Sequence, residues 1–112
     1  MEHHVYFWLK DEKKNDADCA AFEQGMDKLL QIENIASGVW GKSAATAERP
    51  VTDKSFDYAL SLKFDSLEQH NIYQDHAEHH IFVDAFKDFW AGAKVMDAVS
   101  YTHLTLPTIL LV

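Results

Sequence analysis

The run His3–Lys10, HHVYFWLK, constrains this chain more than any other segment. It is short, aromatic and partly β-branched, and it stops against the charged stretch Asp11–Lys14, so it predicts a strand. Side chains alternate across a strand, which puts Val5, Phe7 and Leu9 on one face and His4, Tyr6 and Trp8 on the other. Both rows are largely apolar. A strand with one wet face alternates apolar with polar residues. The sheet built on this strand is therefore expected to be covered on both faces.

From about Asp16 the period changes. Phe22, Met26, Leu29 and Leu30 recur at helical spacing, with Asn15, Asp16 and Asp18 available as N-caps. Gly25 inside that helix suggests a close approach to the sheet. Ala36–Ala45 is expected to contain a second strand, and Thr46–Asp53, with Pro50, a loop. Phe56–Phe64 shows the cleanest alternation, with Phe56, Tyr58, Leu60, Leu62 and Phe64 on one face. Asp65 and Ser66 each precede an acid or amide by three residues, as a capping box requires, and open a helix over Leu67–Tyr73. After a break at Asp75–Ala77 a second stripe follows, Phe82, Ala85, Phe86, Phe89 and Trp90, closed by Gly92. Lys94–Val99 reads as the last strand. The order strand, helix, strand, strand, helix, strand predicts an α+β, ferredoxin-like βαββαβ protomer with a four-stranded antiparallel sheet. Two helices cover one face of such a sheet. A second copy packed sheet to sheet is the expected cover for the other, giving a homodimer.

Charge and cysteine content exclude several partners. The net charge is −8 with Arg49 the sole arginine, which leaves no electrostatic footprint for nucleic acid. Cys19 is alone, so neither a disulfide framework nor a multi-cysteine zinc site can form within the chain. No apolar run is long enough to span a bilayer, and no basic-then-apolar leader opens the sequence, so a cytoplasmic location and no membrane partner are expected.

Seven histidines in 112 residues stand out. Tyr73, His76 and His79 are spaced three apart, so on a helix they fall along one side. A phenol and an imidazole on a pocket wall form a proton donor and acceptor able to polarise a carbonyl and remove a neighbouring proton. The alternative is structural: the same groups satisfy helix ends. No serine or cysteine nucleophile has an evident partner. A zinc site from His76, His79 or His80 with Asp75 or Glu78 lacks the HExxH spacing, so neither metal nor cofactor is expected. His3 and His80 are expected to face solvent, and His70 and His103 to lie on the surface.

These segments together resemble the stress-responsive dimeric α/β-barrel (Dabb) domain family. The resemblance rests on His3-His4-Val5-Tyr6-Phe7, Gly38-Val39-Trp40-Gly41, Arg49-Pro50-Val51 with Asp53, and Tyr73-x-x-His76-x-x-His79 followed by Phe82 and Trp90. Asp97 stands where that family commonly has an aspartate, whereas Ala77 replaces the family's usual proline. The resemblance implies a dimeric α/β barrel and a pocket for a small apolar or carbonyl-containing ligand. It also implies Tyr73 and His79 as the acid–base pair of a cofactor-independent cyclase or lyase, by similarity to a plant polyketide cyclase. His4, His76, Tyr6, Trp8 and Trp40 would line the pocket, with His3 competing for the position of His4. A small antibiotic-biosynthesis-type monooxygenase is a second implied activity, and most family members have no assigned reaction.

The domain is expected to span residues 1–99, leaving 100–112 outside it. Tyr101–Val112, YTHLTLPTILLV, has no charged side chain. It reads either as an adventitious extension or as an extra strand in which Thr102–Leu106 pairs at a sheet edge.

Overall fold

The computed structural model describes residues 1–100; both readings of Tyr101–Val112 lie outside the described residues. Four strands and three helices follow in the order β1 (Glu2–Leu9), α1 (Asp16–Leu29), β2 (Ser37–Gly41), β3 (Tyr58–Lys63), α2 (Leu67–Asp75), α3 (Ala77–Phe86) and β4 (Trp90–Ala98). The sheet order is β2-β3-β1-β4, antiparallel throughout. This is the expected α+β, ferredoxin-like arrangement.

The expected barrel is not there. Among the described residues the sheet is open, with β2 and β4 as separate edges that pair only inward, β2 with β3 and β4 with β1. Closure would require the two edge strands to hydrogen-bond to each other, and four strands cannot curl that far while a helical layer fills one face. The family resemblance carried the barrel; the strand count of this chain does not supply it.

The alternation in β1 decides which face receives the helices. His3, Val5, Phe7 and Leu9 are buried, and His4, Tyr6 and Trp8 are partly exposed. In β3, Tyr58, Leu60 and Leu62 continue the buried row and Phe64 follows it, while Phe56 turns to the opposite side and meets the Tyr6 ring at 5.1 Å. On α1 the stripe Phe22, Met26 and Leu29 closes onto this row, and Phe22 stacks against Phe82 of α3 at 5.9 Å. Truncating a buried phenylalanine such as Phe22 costs ~3–5 kcal/mol through lost burial and the residual cavity.

Local chemistry sets the helix ends. The Asn15 side chain accepts from the Asp18 N–H at 2.9 Å, and the Ser66 hydroxyl accepts from the Gln69 N–H at 3.1 Å. Gly25 does mark a close approach, but to α3 rather than to the sheet: a Cβ there would lie 2.2 Å from the Phe86 ring. Gly92 does not end a helix. It lies within β4 opposite Trp8, because a short 3-10 turn at Lys87–Phe89 already turns the chain and the free edge of β1 accepts the strand from Trp90 onward. The pairing steps from Trp8 with Gly92 to Leu9 with Trp90, so Ala91 is bulged out of register. Among the described residues no helix is long and apolar enough to cross a membrane.

Candidate active-site cleft

A cleft of about 300 Å³ opens between the sheet and the pair α2–α3. Its apolar wall is Val5, Leu60, Phe82, Val83 and Val95, and its polar wall is His3, His70, Tyr73, Gln74, His79 and Asp97. Concave, mostly apolar spaces with a few converging polar groups are where small molecules bind.

Two strands supply the floor. His3 and Asp97 are direct partners across β1 and β4, and His3 Nδ1 lies 2.5 Å from Asp97 Oδ1. His3 is only 4% exposed, and burial holds its imidazole below its usual proton affinity; the Asp97 carboxylate pulls the other way without reversing it. The contact to Asp97 also fixes the orientation of the His3 ring.

The helices supply the opposite wall. Tyr73, on α2, is 1% exposed and packs its ring 5.1 Å from Phe64 and 6.0 Å from His3. Burial pushes its phenol above the ordinary tyrosine range, so it stays protonated and able to donate. His79, on α3, sets its ring 4.7 Å from that of Tyr73. Burial lowers its proton affinity first, and the neighbouring His80 adds to this, against the opposing Gln74 carbonyl. Its Nδ1 is buried with no hydrogen-bond partner among the described residues. A neutral imidazole beside a neutral phenol is an acceptor and a donor facing one space. His70 of α2 completes the wall, its ring 4.9 Å from that of His3.

Of the residues singled out from sequence, Tyr73 and His79 come together in this cleft, and five do not. His76 sits at the α2–α3 junction, where its Nδ1 accepts from the Glu78 N–H at 3.0 Å and its Nε2 lies 3.3 Å from Glu33 Oε1. His4 is on the other face of the sheet, with Nδ1 3.1 Å from Ser61 Oγ and Nε2 3.2 Å from Glu2 Oε1. Tyr6 and Trp8 share that outer face, where with Phe56, Lys94 and Met96 they line a separate depression of about 390 Å³. Trp40 donates from Nε1 to Asp27 Oδ1 at 2.6 Å and packs on Tyr58.

His3, expected in solvent, is instead buried in the cleft, and His70, expected on the surface, is partly buried against it. The parity of β1 carries the signal for His3, since it stands two residues before Val5 in the buried row. His70 is four residues from Gln74 and three from Tyr73 on α2, which places the three along one side of the helix.

Comparison with known proteins follows the same lines. A family model described as Stress responsive A/B Barrel Domain matches residues 1–100. No curated protein matches the chain. Among solved structures, an Arabidopsis thaliana protein is similar with a TM-score of 0.73 at 20% identity, covering 88% of this chain and 93% of its own. A dimeric ferredoxin-like protein of unknown function from Thermobifida fusca gives a TM-score of 0.69 at 18% identity, covering 88% and 89%. A hydroxynitrile lyase from Passiflora edulis gives a TM-score of 0.74 at 15% identity, covering 88% and 91%. At these identities the structural likeness speaks for the fold alone.

Proposed function

We propose a function from one premise: the chain belongs to the stress-responsive A/B barrel domain family. It binds a small, largely apolar carbonyl compound in the cleft between the sheet and α2–α3. There Tyr73 and His79 act as an acid–base pair in making or breaking a bond next to the carbonyl. The observation that carries this reading is the Tyr73–His79 pair, 4.7 Å apart on the wall of one cleft, each held in the neutral form that its role needs.

In the cleavage direction His79 takes the proton of a hydroxyl group. The bond from the hydroxyl-bearing carbon to its neighbour breaks, and the leaving carbon departs with the electron pair. The new carbonyl oxygen accepts a hydrogen bond from the Tyr73 phenol, and His79 returns the proton to the leaving carbon. The reverse is an aldol-type addition, so lyase and cyclase activities share one arrangement. His3, whose Nδ1–H donates to Asp97, leaves its bare Nε2 as a further acceptor at the floor of the cleft.

The assembly belongs to the same reading. The outer sheet face carries Tyr6, Trp8, Phe56 and Met96, and the dimeric fold relative from Thermobifida fusca supports covering it with a second copy, open sheet against open sheet. That arrangement leaves both clefts facing away from the interface.

An aromatic cyanohydrin is a suitable probe, given the fold shared with a hydroxynitrile lyase. Aldehyde release by the full chain is followed by absorbance. The expected result is turnover that falls about 10²–10⁴-fold in His79→Ala and in Tyr73→Phe. Undiminished turnover in His79→Ala would remove the pair from the mechanism. Failure of the wild type both to turn over the cyanohydrin and to bind the aromatic aldehyde would remove the ligand class.

A further inference from the structure

We propose that the floor of the cleft is a binding site for a divalent transition metal of the zinc class, held by His3, His70 and Asp97. One potential ligand atom from each of these side chains lies within 4.8 Å of the other two. They come from three elements: His3 from β1, Asp97 directly opposite it on β4, and His70 from α2 above them. Two ligands are thus anchored on paired strands, and the third rides on a helix that can settle onto an ion.

Donor chemistry selects the metal class. Two imidazoles and one carboxylate form a borderline donor set that suits zinc, cobalt or nickel, whereas magnesium and calcium prefer oxygen ligands. Three protein ligands with a fourth position open to water is the pattern of zinc sites that keep an exchangeable position. The cleft provides the room for that water, at about 300 Å³. The fit needs only local movement. Zinc bonds of about 2.0–2.1 Å place neighbouring tetrahedral ligands roughly 3.4 Å apart. The His3–Asp97 contact would open from 2.5 Å, and His70 would close in.

Other groups favour the ion. Asp97, whose side chain is 42% exposed, gives the ion a route in from solvent. The chain's net charge of −8 draws cations toward it. His70 Nδ1 lies 3.2 Å from Asn71 Oδ1 and its Nε2 lies 3.5 Å from the Gln74 amide; coordination through one ring nitrogen would displace one of these contacts and leave the other to orient the ring.

The test does not depend on turnover, so it stands or falls separately from the acid–base reading. Zinc is titrated into the full chain against a chromophoric chelator, and cobalt is added to the same protein for its visible d–d spectrum. The expected result is one zinc per chain and a tetrahedral cobalt spectrum. His70→Ala and Asp97→Asn should each weaken zinc about 100-fold or more, because even partners outside the ligand set are worth 10–100-fold. His70→Ala alters a partly exposed helix position, and an unchanged far-UV spectrum would show that the loss is of a ligand and not of the fold. Absence of stoichiometric binding by the wild type would overturn the site. So would zinc affinity unchanged in His70→Ala but lost in His80→Ala, which would assign the ion to surface histidines.

Discussion

Burial of His79 has a consequence that pH makes measurable. Its imidazole resists protonation in the folded chain, while in the unfolded chain it returns to the ordinary value of 6.5. As pH falls below about 6.5, the unfolded chain takes up a proton that the folded chain refuses, so stability drops. His3 acts in the same direction. The melting temperature is therefore expected to fall as pH is lowered from neutrality through 6.5, and to fall less in His79→Phe. For a turned-over substrate, the acid limb of kcat/KM should lie below 6.5, since His79 remains a base there. An acid limb at or above 6.5 would mean that another group is the base. At this scale the sequence was partly legible. Helical spacing pointed to Tyr73 and His79, but the two stand on separate helices, and it is the break at His76, not one shared helix face, that sets their rings together. His3 and His4 were harder to separate, because a strand one residue out of phase exchanges the two.

The α2–α3 junction shows how one element boundary relieves a residue of a chemical role. His76 holds extended backbone between two helices, ending α2 through its N–H to the Tyr73 carbonyl and opening α3 through its side chain. That geometry turns α3 so that His79 faces Tyr73 rather than continuing along the α2 axis. His76→Ala should cost ~1 kcal/mol of stability through loss of the cap, read as a lower denaturation midpoint, with kcat/KM changed little. His76→Asn, which can cap in the same way, should restore the midpoint; a kcat/KM loss that persists in His76→Asn would instead make the imidazole part of the site. The sequence showed the break near Asp75–Ala77 but not its purpose, because a histidine N-cap is not among the residue types that mark helix starts. The end of α3 departs from the sequence pattern for a related reason. Gly92 is a natural helix stop, yet strand pairing with β1 claimed Trp90 and the stretch from Gly92 to Ala98. Tertiary hydrogen bonding outranked the local signal.

For the whole molecule, the open sheet leaves an apolar outer face that none of the described residues covers. Met96 is 50% exposed there, beside Tyr6, Trp8 and Phe56. A standard interface buries about 800 Å² per partner, so placing a charge at its centre is decisive. Met96→Asp should convert the proposed dimer to monomer in sedimentation at matched protein concentration, with the far-UV spectrum retained. A wild type that sediments as a monomer would reject the assembly. The two-sided apolar pattern of β1 announced this face from the sequence; the number of strands needed for closure did not, since one chain's alternation says nothing about where a sheet ends.

The bulge at Ala91 bears on how such a chain can vary in length. It lies upstream of the stretch in which β4 runs in step with β1 from Gly92 to Ala98, and that stretch includes the His3–Asp97 partnership. Deleting Ala91 would straighten β4 into continuous pairing from Trp90 and leave Asp97 opposite His3. An insertion or deletion between α3 and β4 is therefore absorbed at the bulge before it reaches the cleft. The helix–strand connection can lengthen or shorten by a residue while the floor of the cleft keeps its alignment.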